Sequence, residues 1–235
     1  MQLFIEETIR IEKIDYFWPV TEPEMRLVRG NREYFDGVRV IMNEENVLNI
    51  ALNKQKTVDF LAEAGFDVPK IFTKDECTGA DYPMIVKAEF GCGSHEVETV
   101  YSYAELEKAY NRIESPIIQN YIGDIDHEYT MTVFSDGQTV NSIAFRRVLG
   151  FGGMSRYVEL VHDDELTVMG EKLASLFELK GSINIQMRKS ENRYYIFEIN
   201  PRISSTIGFR STCCFSSFNS TINLHTSGCS ICTRD

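Results

Sequence analysis

An α+β fold of two lobes (α/β in its layering), built on antiparallel sheets, is predicted by three observations. Two pairs of apolar runs flank short polar turns: residues 129–134 and 140–145 bracket Ser135-Asp136-Gly137, and residues 181–188 and 193–199 bracket Lys189-Ser190-Glu191-Asn192. Turn residues between strand-forming runs signal hairpins, and hairpins make antiparallel sheets. Residues 103–113 and 166–177 carry helical spacing between these strands, and 235 residues suit one composite domain or two small lobes. The third observation is a β-α-β pattern in the first 45 residues. It is too short to bury a core of its own and reads as the end of a larger α/β unit or as an edge of the main domain.

Taken in order, residues 3–14 form one alternating apolar run, and residues 14–20 read as a strand ending at the Pro19 turn. Residues 22–34 are helix-like, with Met25, Leu27 and Val28 as apolar positions, and residues 38–42 read as a strand. Between 44 and 65 the spacing of Val47, Leu48, Ile50, Ala51, Val58, Leu61 and Ala62 predicts one or two helices, with Asn53 as an N-cap and Gly65 as a stop. Residues 84–87 make a buried strand running into Phe90-Gly91-Cys92-Gly93-Ser94, and residues 117–122 and 157–161 are further strands.

Composition narrows the function. Lys and Arg total 24 against 35 Asp and Glu, a net charge of −11. Phosphate backbones demand a basic face, so nucleic acid is not expected as a partner. A small anionic ligand is still compatible with an acidic chain whose cations gather in one cleft. No apolar run approaches the roughly 18–20 residues that span a bilayer, and the opening Met1-Gln2-Leu3-Phe4-Ile5-Glu6-Glu7 lacks the basic start of a signal peptide. A cytoplasmic protein without a membrane partner is expected. In a reducing compartment Cys77 and Cys92 are not expected to form a disulfide.

The segment Phe197-Glu198-Ile199-Asn200-Pro201-Arg202 is the most informative. Side chains alternate along a strand, so Glu198 and Asn200 share a face, and Gln186 lies on the partner strand of the hairpin. Such an oxygen-rich set suits magnesium shared with substrate phosphates, and Arg202 stands where it can steady a transferring phosphoryl group. Solvent-facing residues of an ordinary strand are the alternative. Upstream, Lys87 precedes Gly91-Cys92-Gly93-Ser94, where glycines let backbone amides approach phosphate and the lysine adds a point charge. A surface hairpin would use the same residues.

In this order, Asn53-Lys54-Gln55-Lys56-Thr57, Lys87 to the glycine loop, Gln119-Asn120-Tyr121-Ile122, Glu128-Tyr129-Thr130, Gln186 and Glu198 to Arg202 resemble the motifs of ATP-grasp enzymes. The resemblance covers residues 50–205 and is nearest to the ATP-binding domain of carbamoyl-phosphate synthase large chains and related carboxylate–amine ligases. It implies an ATP-grasp fold over residues 46–210, with a small lobe and phosphate loop at 46–115 and an adenine hinge and metal-binding lobe at 116–210. Residues 1–45 would then be a partial pre-ATP-grasp segment. It further implies that Lys54, Lys87, Gly91, Gly93 and Ser94 hold ATP phosphates, that Gln119, Asn120, Tyr121 and Ile122 receive adenine, and that Glu128 accepts the ribose hydroxyls. Gln186, Glu198 and Asn200 would hold magnesium, or manganese in its place. Arg202 would sit by the γ-phosphate, and Arg147, beside Arg146, would meet a carboxylate or acyl phosphate.

The implied activity is ATP- and magnesium-dependent activation of a small carboxylate as an acyl phosphate for attack by an amine. Carboxyphosphate chemistry from bicarbonate and a catalytically impaired ATP-binding module are the alternatives. A homo-oligomer is compatible with all three. For Lys54, Lys87 and the arginines the structural alternatives are a solvated helix face, a strand-end charge and a surface pair.

Two features depart from the family pattern. Glu89 and Glu96 put carboxylates beside the phosphate loop, where they repel phosphate unless they point away or meet a cation. Residues 211–235 hold Cys213, Cys214, Cys229 and Cys232 in a Ser- and Thr-rich stretch without useful periodicity. They are expected to form a tail outside the fold, from a frameshifted or read-through end, with a zinc site on the four cysteines as the alternative. His127 is expected to be solvated.

Overall fold

The computed structural model describes residues 2–31, 35, 37–91, 96–124, 128–150, 155–203 and 206–212. The first elements are α1 (Gln2–Glu12), β1 (Tyr16–Phe17), α2 (Glu22–Gly30), β2 (Arg39–Val40), α3 (Glu45–Ala51) and α4 (Lys54–Glu63). A small-sheet region follows with β3 (Ile71–Phe72), β4 (Met84–Ala88), β5 (Val97–Val100), α5 (Tyr103–Arg112) and β6 (Pro116–Asn120). The remainder is β7 (Glu128–Ser135), β8 (Val140–Leu149), β9 (Ser155–Val161), α6 (Asp164–Leu176), β10 (Gly181–Ser190), β11 (Arg193–Asn200) and α7 (Ile207–Thr212).

Most helices start where a short polar side chain takes up an orphan amide. Thr21 and Glu24 form a reciprocal capping box on α2, Asn53 accepts from Lys56 N on α4, and Ser102 and Asp163 cap α5 and α6. The expected helical stretch 44–65 is therefore two helices, and Gly65, at φ 81°, ends the second. The alternating apolar run of residues 3–14 falls mostly within helix α1, which ends at Glu12. Ile5 and Ile9 satisfy both periodicities, but they are the half-buried pair four residues apart, while Phe4 and Ile11 face solvent.

The strands form a parallel β1–β2 pair, a four-stranded sheet in the order β3-β6-β4-β5 and a five-stranded sheet in the order β11-β10-β7-β8-β9. Every pairing in the two larger sheets is antiparallel. The lobes interleave along the chain. Helices α3 and α4 precede the small sheet in sequence but bury Val47, Ala51 and Leu61 against the large one, whereas β6 completes the small one. The β10–β11 hairpin turns at Glu191 and Asn192, both with positive φ, as a tight turn matching strand twist requires.

Each sheet packs one face into a hydrophobic cluster. On the small sheet Met84, Val86, Ala88 and Ile118 pack with Leu106 and Ala109 of α5. On the large sheet Tyr129, Met131, Val133, Ile183, Ile185 and Met187 point into a core closed by Leu166, Leu173 and Phe177. Strand alternation therefore sends Thr130, Thr132, Asn184 and Gln186 to the opposite face.

Candidate active site

A cavity of about 580 Å³ lies where the free face of the small sheet meets the end of the large one. The small sheet contributes Ile85, Lys87 and Gln119, which share a face because Ile85 pairs with Gln119 and Lys87 lies two residues on. The large sheet contributes Arg188, Phe197 and Glu198. Phe197 and Glu198 are neighbours in sequence and still face the same way, owing to a one-residue bulge. Gln186 is opposite Glu198 and Met187 is opposite Ile196, so Phe197 is the extra residue. Tyr194 and Ile196 enter the core before the bulge, and Ile199 enters it afterwards. The bulge thus turns Glu198 out of the core and toward the cavity.

Lys87 is buried, and its ammonium donates to the Phe197 carbonyl at 3.1 Å. Burial lowers its pKa to about 8, and the nearby Glu198 carboxylate opposes that shift. Gln119 is also buried, and its Nε2 has no hydrogen-bond partner among the described residues. Beside it, Arg188 lies over the rings of Tyr121 and Phe197 and directs Nη1 to the Ile122 carbonyl, and its buried Nε is likewise unpaired among the described residues. Two donors thus reach the cavity with spare capacity, and a ligand carrying acceptors would satisfy them. Asn120 is committed elsewhere, its Oδ1 accepting from Lys70 N at 2.8 Å. Just after this segment Gly123 sits at φ 62°, where a Cβ would come within 2.8 Å of the Lys189 carbonyl oxygen.

At the other end, Lys54 Nζ donates to the Gly91 carbonyl, and the Gly91 amide donates to Glu22 Oε1 at 3.1 Å. Glu22 also accepts from Arg26, whose guanidinium covers the Phe90 ring. Glu89 does not threaten an anion here, since its carboxylate accepts from Asn53 Nδ2 at 2.7 Å and it does not line the cavity, whereas Glu96 does. Gly93 and Ser94 lie outside the described residues, as do Cys92, His127, the 151–153 loop and the four tail cysteines.

Asn200 and Arg202 line a small adjoining cleft that shares Glu22, Lys54, Gly91 and Glu198 with the main cavity. Asn200 donates to Glu198 Oε1 at 3.2 Å, leaving its own carbonyl oxygen for another partner. Among the described residues no three His, Cys, Asp or Glu side chains gather as a metal site. The set Glu198, Gln186 and Asn200 nevertheless offers one carboxylate and two amide oxygens, which fits a hard cation that takes its remaining ligands from phosphates and water.

Glu128 and Arg147 are brought together, but away from the cavity lining. Arg147 Nε donates to Glu128 Oε1 at 3.0 Å and Arg188 Nη2 approaches Oε2 at 3.4 Å, so both carboxylate oxygens are engaged in a buried cluster. Arg146 pairs with Glu159 in an exposed ion pair.

Comparison with known proteins places this fold. A family model for the ATP-grasp domain matches residues 51–206. The chain belongs to the ATP-grasp family. The carbamoyl phosphate synthase large chain of Halomonas eurihalina is 23% identical over 210 residues, covering 75% of this chain and 18% of that protein. The C-terminal section of the Aquifex aeolicus enzyme is 24% identical over 200 residues, covering 75% of this chain and 37% of that one. The chain therefore spans well under half the length of these relatives. Among solved structures, the biotin carboxylase domain of Hydrogenobacter thermophilus 2-oxoglutarate carboxylase, in complex with MgADP, ADP and bicarbonate, superposes with a TM-score of 0.80. Its identity is 15%, and the match covers 98% of this chain and 57% of that one. D-alanine–D-alanine ligase of Bacillus anthracis gives 0.69 at 16% identity, covering 97% and 83%. At these identities the likeness is one of fold.

Among the residues lining the cavity, sequence reasoning did not single out Arg188, Glu22 and Arg26. Arg188 had a signal, since it stands two residues after Gln186 and so shares its face. Glu22 and Arg26 had none, because they come from a helix more than sixty residues ahead of the loop they touch.

Proposed function

We propose that this ATP-grasp chain binds ATP with magnesium in the cavity and activates a small carboxylate as an acyl phosphate, which an amine then attacks. The carrying observation is the buried Lys87 on the small sheet facing Glu198 on the large one across a single cavity. Lys87 and Lys54 would hold phosphate oxygens, with Gly91 and the adjoining Gly93 and Ser94 supplying backbone amides. The base would lie against Gln119, Tyr121 and Ile122, with Asn120 bracing the strand beneath and Arg188 offering its free donor. Glu128 would hold Arg188 in place at the ribose end. Gln186, Glu198 and Asn200 would hold magnesium, or manganese with the same preference for oxygen, and the ion would supply charge neutralisation between phosphates.

In the reaction a carboxylate oxygen forms a bond to the γ-phosphorus as the bond to the ADP oxygen breaks. The amine then attacks the acyl carbon, phosphate leaves and the amine nitrogen loses a proton. Arg202 would steady the transferring group, and Arg147 would contribute positive potential from beneath. Positioning and charge stabilisation carry such transfers, and no covalent nucleophile is needed.

The carbamoyl phosphate synthase relatives favour one second reading, in which bicarbonate is the phosphorylated carboxylate. No described helix is long and apolar enough to cross a membrane, and the free thiol of Cys77 suits the reducing cytoplasm we propose as its location. ATP turnover measured with magnesium, alone and with bicarbonate, amino acids or dicarboxylates, tests the proposal. Stimulation by bicarbonate alone selects the second reading, and nucleotide binding without turnover under any condition leaves only a binding module.

A further inference from the structure

Arg210, in α7, is completely buried, yet only one of its hydrogen-bonding nitrogens is satisfied. Nη1 donates to Thr132 Oγ1 at 2.6 Å, while Nε and Nη2 are buried without a partner among the described residues. No described carboxylate forms an ion pair with it, and burial alone lowers its pKa, to about 10. A buried guanidinium left without a counter-ion is costly, and such groups persist where an anion completes them.

Its location narrows the anion. Thr132 belongs to the face of the large sheet opposite its helix-packed core, in the buried cross-strand row Thr132, Asn184, Asn200. Thr130 and Thr132 both donate to Asn184 Oδ1, so that row is a fixed polar floor. Ser182, two residues from Asn184 on the same face, carries a buried hydroxyl that is also unpaired among the described residues. Thr132 lies two strands from Asn200, and strands are about 4.8 Å apart, so Arg210 reaches the floor roughly 10 Å from the proposed metal and phosphoryl end. That separation is too great for a carboxylate at the phosphoryl end to touch both.

We propose that Arg210, with Thr132 and Ser182, forms a subsite for a substrate carboxylate other than the one that is phosphorylated. The assignment of the second carboxylate rests on the acyl-phosphate reading, but the anion site itself does not. The subsite makes the substrate, or its amine partner, at least doubly functional: an amino acid or a dicarboxylic acid rather than a simple monoacid such as bicarbonate. Arginine suits this task because its planar fork pairs with a carboxylate through two parallel bonds.

The test needs no nucleotide, so it can fail independently of the ATP reading. Thermal midpoints are compared for the full chain, Arg210→Met and Arg210→Lys, in millimolar succinate, glutamate or phosphate at constant ionic strength. Expected are a rise of about 3–8 °C for the parent in a saturating dicarboxylate or glutamate, a partial response for Arg210→Lys and none for Arg210→Met. Without added anion, Arg210→Met should melt at or above the parent temperature, because it removes an uncompensated buried charge. A parent that ignores both carboxylates, or responds to phosphate alone, overturns the proposal. So does an Arg210→Met variant that responds like the parent, or melts well below it in anion-free buffer, since that would make Arg210 structural.

Discussion

Lys87 Nζ donates to the Phe197 carbonyl oxygen across 3.1 Å and so ties the small sheet to the bulge of the large one. The bond holds a buried ammonium whose pKa is lowered to about 8. An unfolded lysine titrates near 10.4, so below about pH 8 both states are protonated and the folded state bears the whole desolvation cost. Between about 8 and 10.4 the unfolded chain binds more protons, and stability rises with pH. The parent should therefore gain on Lys87→Met across this window by on the order of 3 kcal/mol. Denaturant titrations through the window read this directly, and parallel curves for the two proteins would show that Lys87 titrates normally.

Nucleotide binding gives a second reading of the same lysine. Phosphate needs the ammonium form, so affinity for ATP should fall as pH rises through about 8. Lys87→Ala should weaken binding more than Lys54→Ala, since Lys54 is already engaged with the Gly91 carbonyl at the cavity edge. Calorimetric titration of both variants decides it, and parent-like affinity in each would remove the lysines from the phosphate site.

Glu198 faces the cavity from the bulge and is only half-buried, and its charge favours the neighbouring Lys87 ammonium. Glu198→Ala should keep its circular dichroism while losing ATP turnover by about 100-fold or more, the usual cost of one charge-stabilising group in a phosphoryl-transfer site. Unaltered turnover in a folded variant would sink the metal assignment.

The hairpins, the capped helices and the order of the motifs were legible because each follows from local periodicity or turn chemistry. Asn53 illustrates this, capping α4 as its sequence context requires. Other features depended on tertiary partners. The Phe197 bulge was invisible, because strict alternation from Tyr194 and Ile196 would have buried Glu198. Strands β3 and β5 are short and only partly buried, so they carry little pattern. Glu89 looked adverse to phosphate until its bond to Asn53 was known. Arg210, at the edge of the Ser- and Thr-rich stretch, gave no sign that it would be buried.

Gln119 offers a test of ligand satisfaction. Its buried Nε2 lacks a partner among the described residues, and a buried donor left unmade costs about 1–3 kcal/mol. Gln119→Leu should therefore leave the free protein as stable as the parent or more so, yet weaken ATP binding by about tenfold, equivalent to one lost hydrogen bond. Lower stability together with unchanged affinity would show that the amide serves the fold.

Glu128 separates two roles by a measurement of stability. The family resemblance gives it the ribose hydroxyls, but here its carboxylate lies between Arg147 and Arg188 with both oxygens engaged. If the cluster is what holds these arginines, Glu128→Gln leaves two guanidinium groups around a neutral amide, one of them, Arg147, buried. Removing one member of a buried ion cluster typically costs about 3 kcal/mol or more, which for a chain of this size corresponds to roughly 6–12 °C in thermal midpoint. Arg188 would also lose its anchor over Tyr121 and Phe197, so ATP affinity should fall with stability, and Arg147→Met should lower stability with a smaller effect on affinity. A Glu128→Gln variant that melts with the parent, binds 2′-deoxy-ATP as the parent does and loses affinity only for ATP would instead assign Glu128 to the ribose hydroxyls alone.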